Sequence, residues 1–130
     1  MKTILCVLGL ALLLVSCDKV ATDSNSLSGV YKGYFSRTGM DTSLVTLEFS
    51  GNNFSGSSNE ANYPAVCHGS FEMENNRISF HDSCTWKADF DWSLILTGDY
   101  TISFNEEGTV RIWKTTNAGM DEYLLKKPFR

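Results

Sequence analysis

The hydrophobic positions of this chain follow two patterns, one at the N-terminus and another along the rest. Residues 4–15 form an unbroken apolar run, whereas from Gly29 onward short runs of aromatic and β-branched residues alternate with clusters of Gly, Asn, Asp and Ser. Period-two alternation between turn residues is typical of successive antiparallel strands. The second pattern predicts eight or nine strands and no amphipathic helix, with strands at 30–36, 44–49, 54–58, 66–74, 77–82, 92–96, 99–104, 110–114 and 122–126.

Short turns are expected between most of these strands. Gly51-Asn52 and the residues 105–108 suit tight hairpins, and the first hairpin would place Phe49 opposite Phe54. A chain of many hairpins removes its exposed edges by closing on itself. We therefore predict an all-β fold, a single antiparallel up-and-down barrel of about eight strands, with a small two-sheet sandwich as the alternative. The segment TWKADFD, residues 85–91, breaks the alternation and is expected to form a loop or a single helical turn at one end.

The apolar run at the N-terminus has the features of an export signal. Lys2 precedes it, and the run is too short to cross a bilayer as a stable helix. It ends in Leu-Val-Ser-Cys at 14–17, which resembles the lipobox of bacterial lipoproteins, a family that is cleaved before the cysteine and acylated on it. The resemblance implies a signal peptide over 1–16, lipidation of Cys17 and a polar, flexible tether over 17–26. Two or more acyl chains anchor a protein durably, and an ordinary secretory signal is the alternative.

The remaining residues, 27–130, have the size of one small domain. Of the 11 basic and 15 acidic residues only Lys2 lies in the signal, so the mature chain has a net charge of 10 − 15 = −5. The charges are scattered and include no basic cluster, which indicates a solvated surface. This distribution argues against nucleic acid or anionic lipid surfaces as partners.

The stretch CHGSFEMENNRISFHDSC, residues 67–84, allows two interpretations, a metal site or a disulfide. A type I′ turn at Asn75-Asn76 would set Phe71 opposite Phe80 and bring Cys67 opposite Cys84 without adjustment. The cysteines would then form a non-hydrogen-bonded pair on the core face, with Cα atoms about 4.5 Å apart. Because an exported chain meets an oxidising compartment, we predict a Cys67–Cys84 disulfide.

The same register argues against metal binding and catalysis. Cys67 and His68 are neighbours on a strand and are expected to point to opposite faces, so a shared metal ion is not expected. His68 and His81 are conceivable general bases, but they would face Ser83 and Ser70 on the outer surface, where an exposed histidine is the common case. No serine lies in a nucleophile motif and no glycine-rich loop suits a phosphate. We predict no catalytic residue, no metal and no cofactor.

The candidate contact residues are aromatic and acidic. Asp89-Phe90-Asp91-Trp92 places carboxylates beside rings, as sugar-binding clefts do, with a solvated loop and a core tryptophan as the alternative. Asp89, Asp91 and Asp99 lack the glycine and glutamate of a calcium loop. Trp113 alternates with Val110 and Ile112, so it is an exposed contact or lines one mouth of the barrel. The predicted ligand or partner contacts are Trp86, Asp89, Phe90, Asp91, Trp92 and Trp113.

Two further resemblances support the architecture. The opening LSGVYKGY, residues 27–34, is similar to the first strand of small lipocalin-like envelope lipoproteins, in which Gly-x-Tyr-x-Gly patterns begin a barrel. The middle of the chain, from 47–49 through 54–56 to 67–71, is similar to the META-domain family of bacterial envelope proteins. Where that family has Gly-Cys-Asn, this chain has Cys67 followed by His68 and Gly69. Both resemblances imply a lipocalin-like or related β domain, and neither supplies a catalytic residue.

Together these patterns predict a lipid-anchored, non-enzymatic β-barrel protein of the bacterial cell envelope. We expect it to bind a small molecule or a glycan at the barrel mouth, with residues 85–91 as the rim. The alternative is a protein-interaction module, such as an assembly factor or an inhibitor, and an enzyme ranks third. An internal cavity would favour the first function, whereas a barrel filled with aromatic side chains would favour the second.

Overall fold

The computed structural model describes residues 26–87 and 89–128. Eight strands in chain order, each hydrogen-bonded to the next, form a closed antiparallel barrel. They are β1 (Gly29–Arg37), β2 (Ser43–Ser50), β3 (Asn53–Ser58), β4 (His68–Glu74), β5 (Arg77–Asp82), β6 (Gly98–Phe104), β7 (Thr109–Thr116) and β8 (Gly119–Lys126). The pairing of β8 with β1 closes the sheet. The predicted up-and-down barrel is confirmed, and the two-sheet sandwich does not form.

Alternate residues of each strand point inward and fill the barrel. In β2, Val45, Leu47 and Phe49 are buried, while Leu44 and Glu48 at alternate positions are exposed. The buried residues include eight aromatic rings: Tyr31, Phe35, Phe49, Phe54, Phe71, Phe80, Tyr100 and Tyr123. Several of these rings meet edge to face, the arrangement that aromatic pairs prefer, with centroids 5.1 Å apart for Phe49 and Phe71 and for Phe54 and Phe80. The interior is therefore a packed core.

The two ends of the barrel differ in the length of their connections. At one end lie the connections 38–42, 59–67, 83–97 and 117–118, and we call it the long-loop end. At the other end lie the turns 51–52, 75–76 and 105–108, and we call it the short-turn end. The chain enters β1 and leaves β8 at the short-turn end. Among the residues that the structure describes, no helix is long and apolar enough to cross a membrane.

The prediction of a strand at residues 92–96 is wrong. Trp92–Leu94 instead form a single 3₁₀ turn, because the Asp91 side chain accepts a hydrogen bond from the Ser93 backbone N–H and caps it. Extended backbone returns only at Ile95, which makes an isolated bridge to Ala65. The segment 66–74 also begins later than predicted, since β4 starts at His68.

The hairpin registers are confirmed, with one difference in turn geometry. Phe49 faces Phe54, and Phe71 faces Phe80, as predicted. The turn between β4 and β5 is not type I′, because Asn75 has a positive φ of 55° and Asn76 does not. The register does not depend on this detail, since a two-residue connection aligns the same partners in either case.

Candidate functional site

The Cys67–Cys84 disulfide is present at the long-loop end, where it joins the residue before β4 to the connection that follows β5. The Cα atoms are 6.3 Å apart, wider than the predicted separation of about 4.5 Å. The β4–β5 ladder ends at Gly69 and Asp82, and one further backbone hydrogen bond joins Ser83 to His68 beside the disulfide. Both cysteines are half-buried, so the bridge lies at the edge of the core and not within it. The disulfide fixes the start of the long connection 83–97.

The other end of this connection is fixed by backbone pairing. Ala65 N–H donates to the Leu94 carbonyl at 3.0 Å, and Leu96 N–H donates to the Ala65 carbonyl at 2.9 Å. Leu94, Ile95 and Leu96 are buried against the barrel. The connection between β5 and β6 is therefore attached at both ends, and Asp89, Asp91 and Trp92 between the attachments are exposed.

Three aromatic side chains of this connection lie together, and we call Trp86, Phe90 and Trp92 the aromatic platform. The Trp86 and Phe90 ring centroids are 5.6 Å apart, and Phe90 stacks on Trp92 with centroids 6.2 Å apart and planes inclined by 26°. Trp86 Nε1 donates to Asp82 Oδ2 at 2.6 Å, which fixes its ring to the end of β5. Trp92 is 55% exposed and Trp86 and Phe90 are half-buried, so the platform presents mainly the Trp92 ring to solvent.

A buried arginine supports the platform from inside the barrel. Arg37 Nε and Nη2 donate to the two carboxylate oxygens of Asp121 at 2.6 and 2.8 Å, and the two side chains are 5% and 2% exposed. Arg37 Nη1 also donates to Asp91 Oδ2 at 3.1 Å and to Ser93 Oγ at 3.0 Å. Asp91 and Ser93 flank Trp92 in the sequence, so Arg37 holds the turn that carries this ring.

The charges of this network are stabilised in the folded protein. The hydrogen bond to Asp121 raises the pKa of Arg37 above its ordinary value, so the guanidinium stays charged despite its burial. Hydrogen bonds from the Ser93 side chain and backbone, together with the charge of Arg37, lower the pKa of Asp91. In the described part of the chain, every buried side-chain nitrogen and oxygen has a hydrogen-bond partner. The Arg37 network is therefore fully hydrogen-bonded and holds the turn at Trp92 against the end of the barrel.

Lys114 also lies at the long-loop end of the barrel, next to Asp121. Lys114 is paired opposite Asp121 across β7 and β8, and its Nζ lies 4.5 Å from the centre of the Tyr100 ring. Burial lowers the pKa of Lys114, and burial raises the pKa of Tyr100 and of Tyr123. Both tyrosines therefore stay neutral and act as core residues.

The structure brings together five of the six predicted contact residues. Asp89 and Asp91 share the 83–97 connection with the three rings of the platform, although Asp91 is engaged inward by Arg37 and Ser93. Trp113 lies elsewhere, on the outer wall, half-buried beneath the Arg111 guanidinium at 4.0 Å from its ring centre. It does not line the mouth of the barrel, because Val110 and Ile112 take the inward positions of β7.

The two histidines are exposed on the outer face, as predicted. A ring nitrogen of His68 nevertheless lies close to the Cys67 sulfur, which is not expected from their adjacent positions on a strand. One ligand atom from each of Cys67, His68 and Cys84 lies within 4.8 Å of the others, the sole such group of three among residues 26–87 and 89–128. Asp89, Asp91 and Asp99 form no comparable group there.

The sequence interpretation missed two features. Arg37 and Asp121 lie one residue outside the predicted strands 30–36 and 122–126, and charges in general are expected to be solvated. Their inward positions follow from the alternation of the longer β1 and β8. A row of exposed apolar side chains also crosses three adjacent strands, in which Tyr34 faces Leu44 on one side and Leu124 on the other. These three side chains are 54%, 50% and 42% exposed.

A depression of about 680 Å³ lies beside the β1–β2 and β3–β4 connections at the long-loop end. Met40, Asp41, Glu60 and Tyr63 contribute to its lining, and the depression is open to solvent.

Comparisons of the chain with protein-family models, curated proteins and solved structures gave no match.

Proposed function

We propose that this protein is a lipid-anchored, non-enzymatic binding module of the bacterial cell envelope, which holds a protein partner on the aromatic platform. The observation that carries the proposal is the contact of half-buried Trp86 and Phe90 with exposed Trp92, in a segment attached through a disulfide on one side and Arg37 on the other. Tryptophan is enriched among the residues that dominate binding energy at protein interfaces. A platform held in place before binding loses little conformational entropy when the partner docks.

The filled interior supports surface binding over an internal ligand. Eight buried rings occupy the space that a lipocalin-type ligand would need. The acidic residues Asp82 and Asp89 lie near the platform in the sequence, and the mature chain has an excess of acidic residues. Asp82 accepts the Trp86 hydrogen bond and exposed Lys87 lies in the same segment, so the local charges are mixed and the aromatic rings provide the contact surface.

The direction of the chain supports an outward-facing platform. β1 begins at the short-turn end, whereas the platform lies at the long-loop end. Cys17, the signal peptide and the tether up to residue 25 lie outside the described residues. If Cys17 is lipidated, the tether joins the barrel at the short-turn end, opposite the platform, and leaves the platform accessible to a partner.

A glycan is the second candidate ligand, favoured by the stacking of Phe90 on Trp92. The nearly parallel rings and the exposed face of Trp92 offer a flat apolar surface to a sugar ring, with Asp89 nearby for hydroxyl groups. Ligand recognition of this kind uses a few polar groups around an apolar surface.

Site-specific photo-crosslinking in native envelopes tests the proposal. A photoreactive residue at position 92 should give a discrete protein adduct, and the same residue at position 113 should not, because Trp113 lies on the outer wall. Phe90→Ala, introduced beside the probe at 92, should reduce the adduct at least about tenfold, as loss of a central interface ring does.

Equal crosslinking from positions 92 and 113 would contradict the platform as the binding surface. Binding of the purified protein to isolated cell-wall glycan, lost in Trp92→Ala and retained in Trp113→Ala, would favour the glycan instead. Metabolic labelling with a fatty-acid analogue tests the anchor, since Cys17→Ser should abolish the label and release the protein from membranes.

A further inference from the structure

The position of His68 beside the disulfide suggests a second use for the two sulfurs. The side chains of Cys67, His68 and Cys84 bring two sulfur atoms and an imidazole nitrogen within 4.8 Å of one another. We propose that, when the disulfide is reduced, these three side chains bind one Zn²⁺ ion. This inference is independent of the proposed partner on the aromatic platform.

The backbone around these ligands is held without the disulfide. The Gly56 N–H donates to the Cys67 carbonyl at 2.8 Å, which ties Cys67 to β3. The Ser83 N–H donates to the His68 carbonyl at 2.9 Å, which extends the β4–β5 pairing to the residue before Cys84. Reduction therefore leaves the three Cα atoms near their positions, and the sulfurs separate by side-chain rotation.

The ligand set and spacing suit zinc. Two thiolates and one imidazole are ligands that Zn²⁺ prefers, with bonds of about 2.3 Å to sulfur and about 2.0 Å to nitrogen. Tetrahedral bonds of that length place the two sulfurs about 3.8 Å apart. The Cα atoms of the cysteines, 6.3 Å apart, allow that separation. His68 is exposed, so water can occupy the fourth position.

Reduction of the Cys67–Cys84 disulfide requires a reductant, and a dithiol can serve. A dithiol transfers two electrons and two protons to the Cys67–Cys84 bond, which breaks into two thiols, and the dithiol becomes a disulfide. Zn²⁺ then displaces the two thiol protons as it binds the sulfurs. Disulfide and zinc use the same sulfur atoms and exclude one another, but each links the start of β4 to the connection that carries the aromatic platform.

Cobalt substitution tests this site. The full chain with Cys6→Ser and Cys17→Ser retains only Cys67 and Cys84, and it is reduced with a phosphine that is removed before metal is added. Co²⁺ should bind at one ion per chain and give thiolate-to-cobalt absorption, which excess Zn²⁺ should abolish. The oxidised protein should show neither effect. His68→Ala should weaken binding at least about tenfold, whereas His81→Ala, a matched exposed histidine outside the group, should not change it.

A reduced, folded protein that binds no Co²⁺, or that binds it equally in His68→Ala, would overturn the proposal. Circular dichroism should show whether reduction unfolds the chain. If it does, Zn²⁺ should restore the spectrum of the barrel, because metal binding then contributes to folding. Failure of Zn²⁺ to restore it would overturn the proposal as well.

Discussion

Arg37 lies at the point where the barrel core meets the long-loop end. Its guanidinium is buried and binds Asp121 from β8 on one side and Asp91 and Ser93 from the 83–97 connection on the other. A buried ion pair of this kind contributes little net stability compared with apolar residues, but the loss of one partner leaves an uncompensated charge. Its effect is to specify where the platform-bearing turn attaches.

Asp121→Asn should lower the free energy of unfolding by about 3–5 kcal/mol, because the Arg37 charge would remain buried without its main partner. Chemical denaturation of the purified protein measures the change. Asp91→Asn is the matched control and should cost much less, since Asp91 is exposed. Equal losses in the two variants would show that Asp121 does not compensate the buried charge.

The lowered pKa of Asp91 predicts a pH dependence of stability. A carboxyl group with a depressed pKa binds fewer protons in the folded chain than in the unfolded chain, where its pKa is near the ordinary value of 3.8. Its stabilising contribution is complete above that value and is lost as the pH falls through the lower pKa of the folded protein.

The free energy of unfolding of the wild type and of Asp91→Asn should therefore differ by a constant amount above about pH 5 and converge below about pH 4. Urea denaturation across this range measures the two curves. Curves that remain parallel through the acid range would mean that the contacts of Asp91 with Ser93 and Arg37 do not stabilise its charged form.

At the level of elements, the β4–β5 hairpin and the connection that follows it are attached to each other and to the barrel at two points. The hairpin register aligns Cys67 with Cys84, and the disulfide then anchors the start of 83–97. The 3₁₀ turn at Trp92–Leu94 and the Ala65–Ile95 bridge anchor its end. The aromatic platform is displayed between these two anchors.

The double substitution Cys67→Ser/Cys84→Ser should lower the free energy of unfolding by about 3 kcal/mol, mainly because the unfolded chain gains freedom. Denaturation with and without a reductant provides the control. Reduction of the wild type should give the same loss when zinc is absent, and the double variant should not respond to reductant. A response of the double variant would place the reducible bond elsewhere.

At the scale of the whole molecule, the barrel depends on a close approach between its first and last strands. Gly33 in β1 lies against the backbone of β8, where an added Cβ would be 1.9 Å from the Leu124 carbonyl oxygen. A side chain at this position cannot be accommodated unless the two strands move apart. The closure of the sheet is therefore sensitive to this one residue.

Gly33→Ala should lower the free energy of unfolding by about 1–3 kcal/mol, the usual range for overpacking. Lys32→Ala, at the neighbouring exposed position, is the matched control and should change it by less than about 0.5 kcal/mol. Thermal and chemical denaturation measure both. If Gly33→Ala left the free energy of unfolding unchanged, β1 and β8 would be able to move apart without loss of stability.

The sequence by itself determined the class of fold and the pairing of neighbouring strands. Both depend on features that are close together in the chain: the alternation of Tyr100, Ile102 and Phe104 with polar residues, or a short turn that aligns Cys67 with Cys84. The strand prediction for 92–96 is wrong because the apolar residues there resemble a strand. The Asp91 side chain caps a 3₁₀ turn at this point, and the backbone is therefore not extended.

Only the tertiary structure decided which residues meet at the long-loop end. Arg37 is 54 positions from Asp91 and 84 positions from Asp121, and no local pattern links them. They meet because the sheet closes and the 83–97 connection folds back over the barrel end. The approach of His68 to the two sulfurs also requires the folded chain, since Cys84 is 16 positions from His68. Contacts of this kind depend on closure and on loop paths, which neither periodicity nor composition encodes.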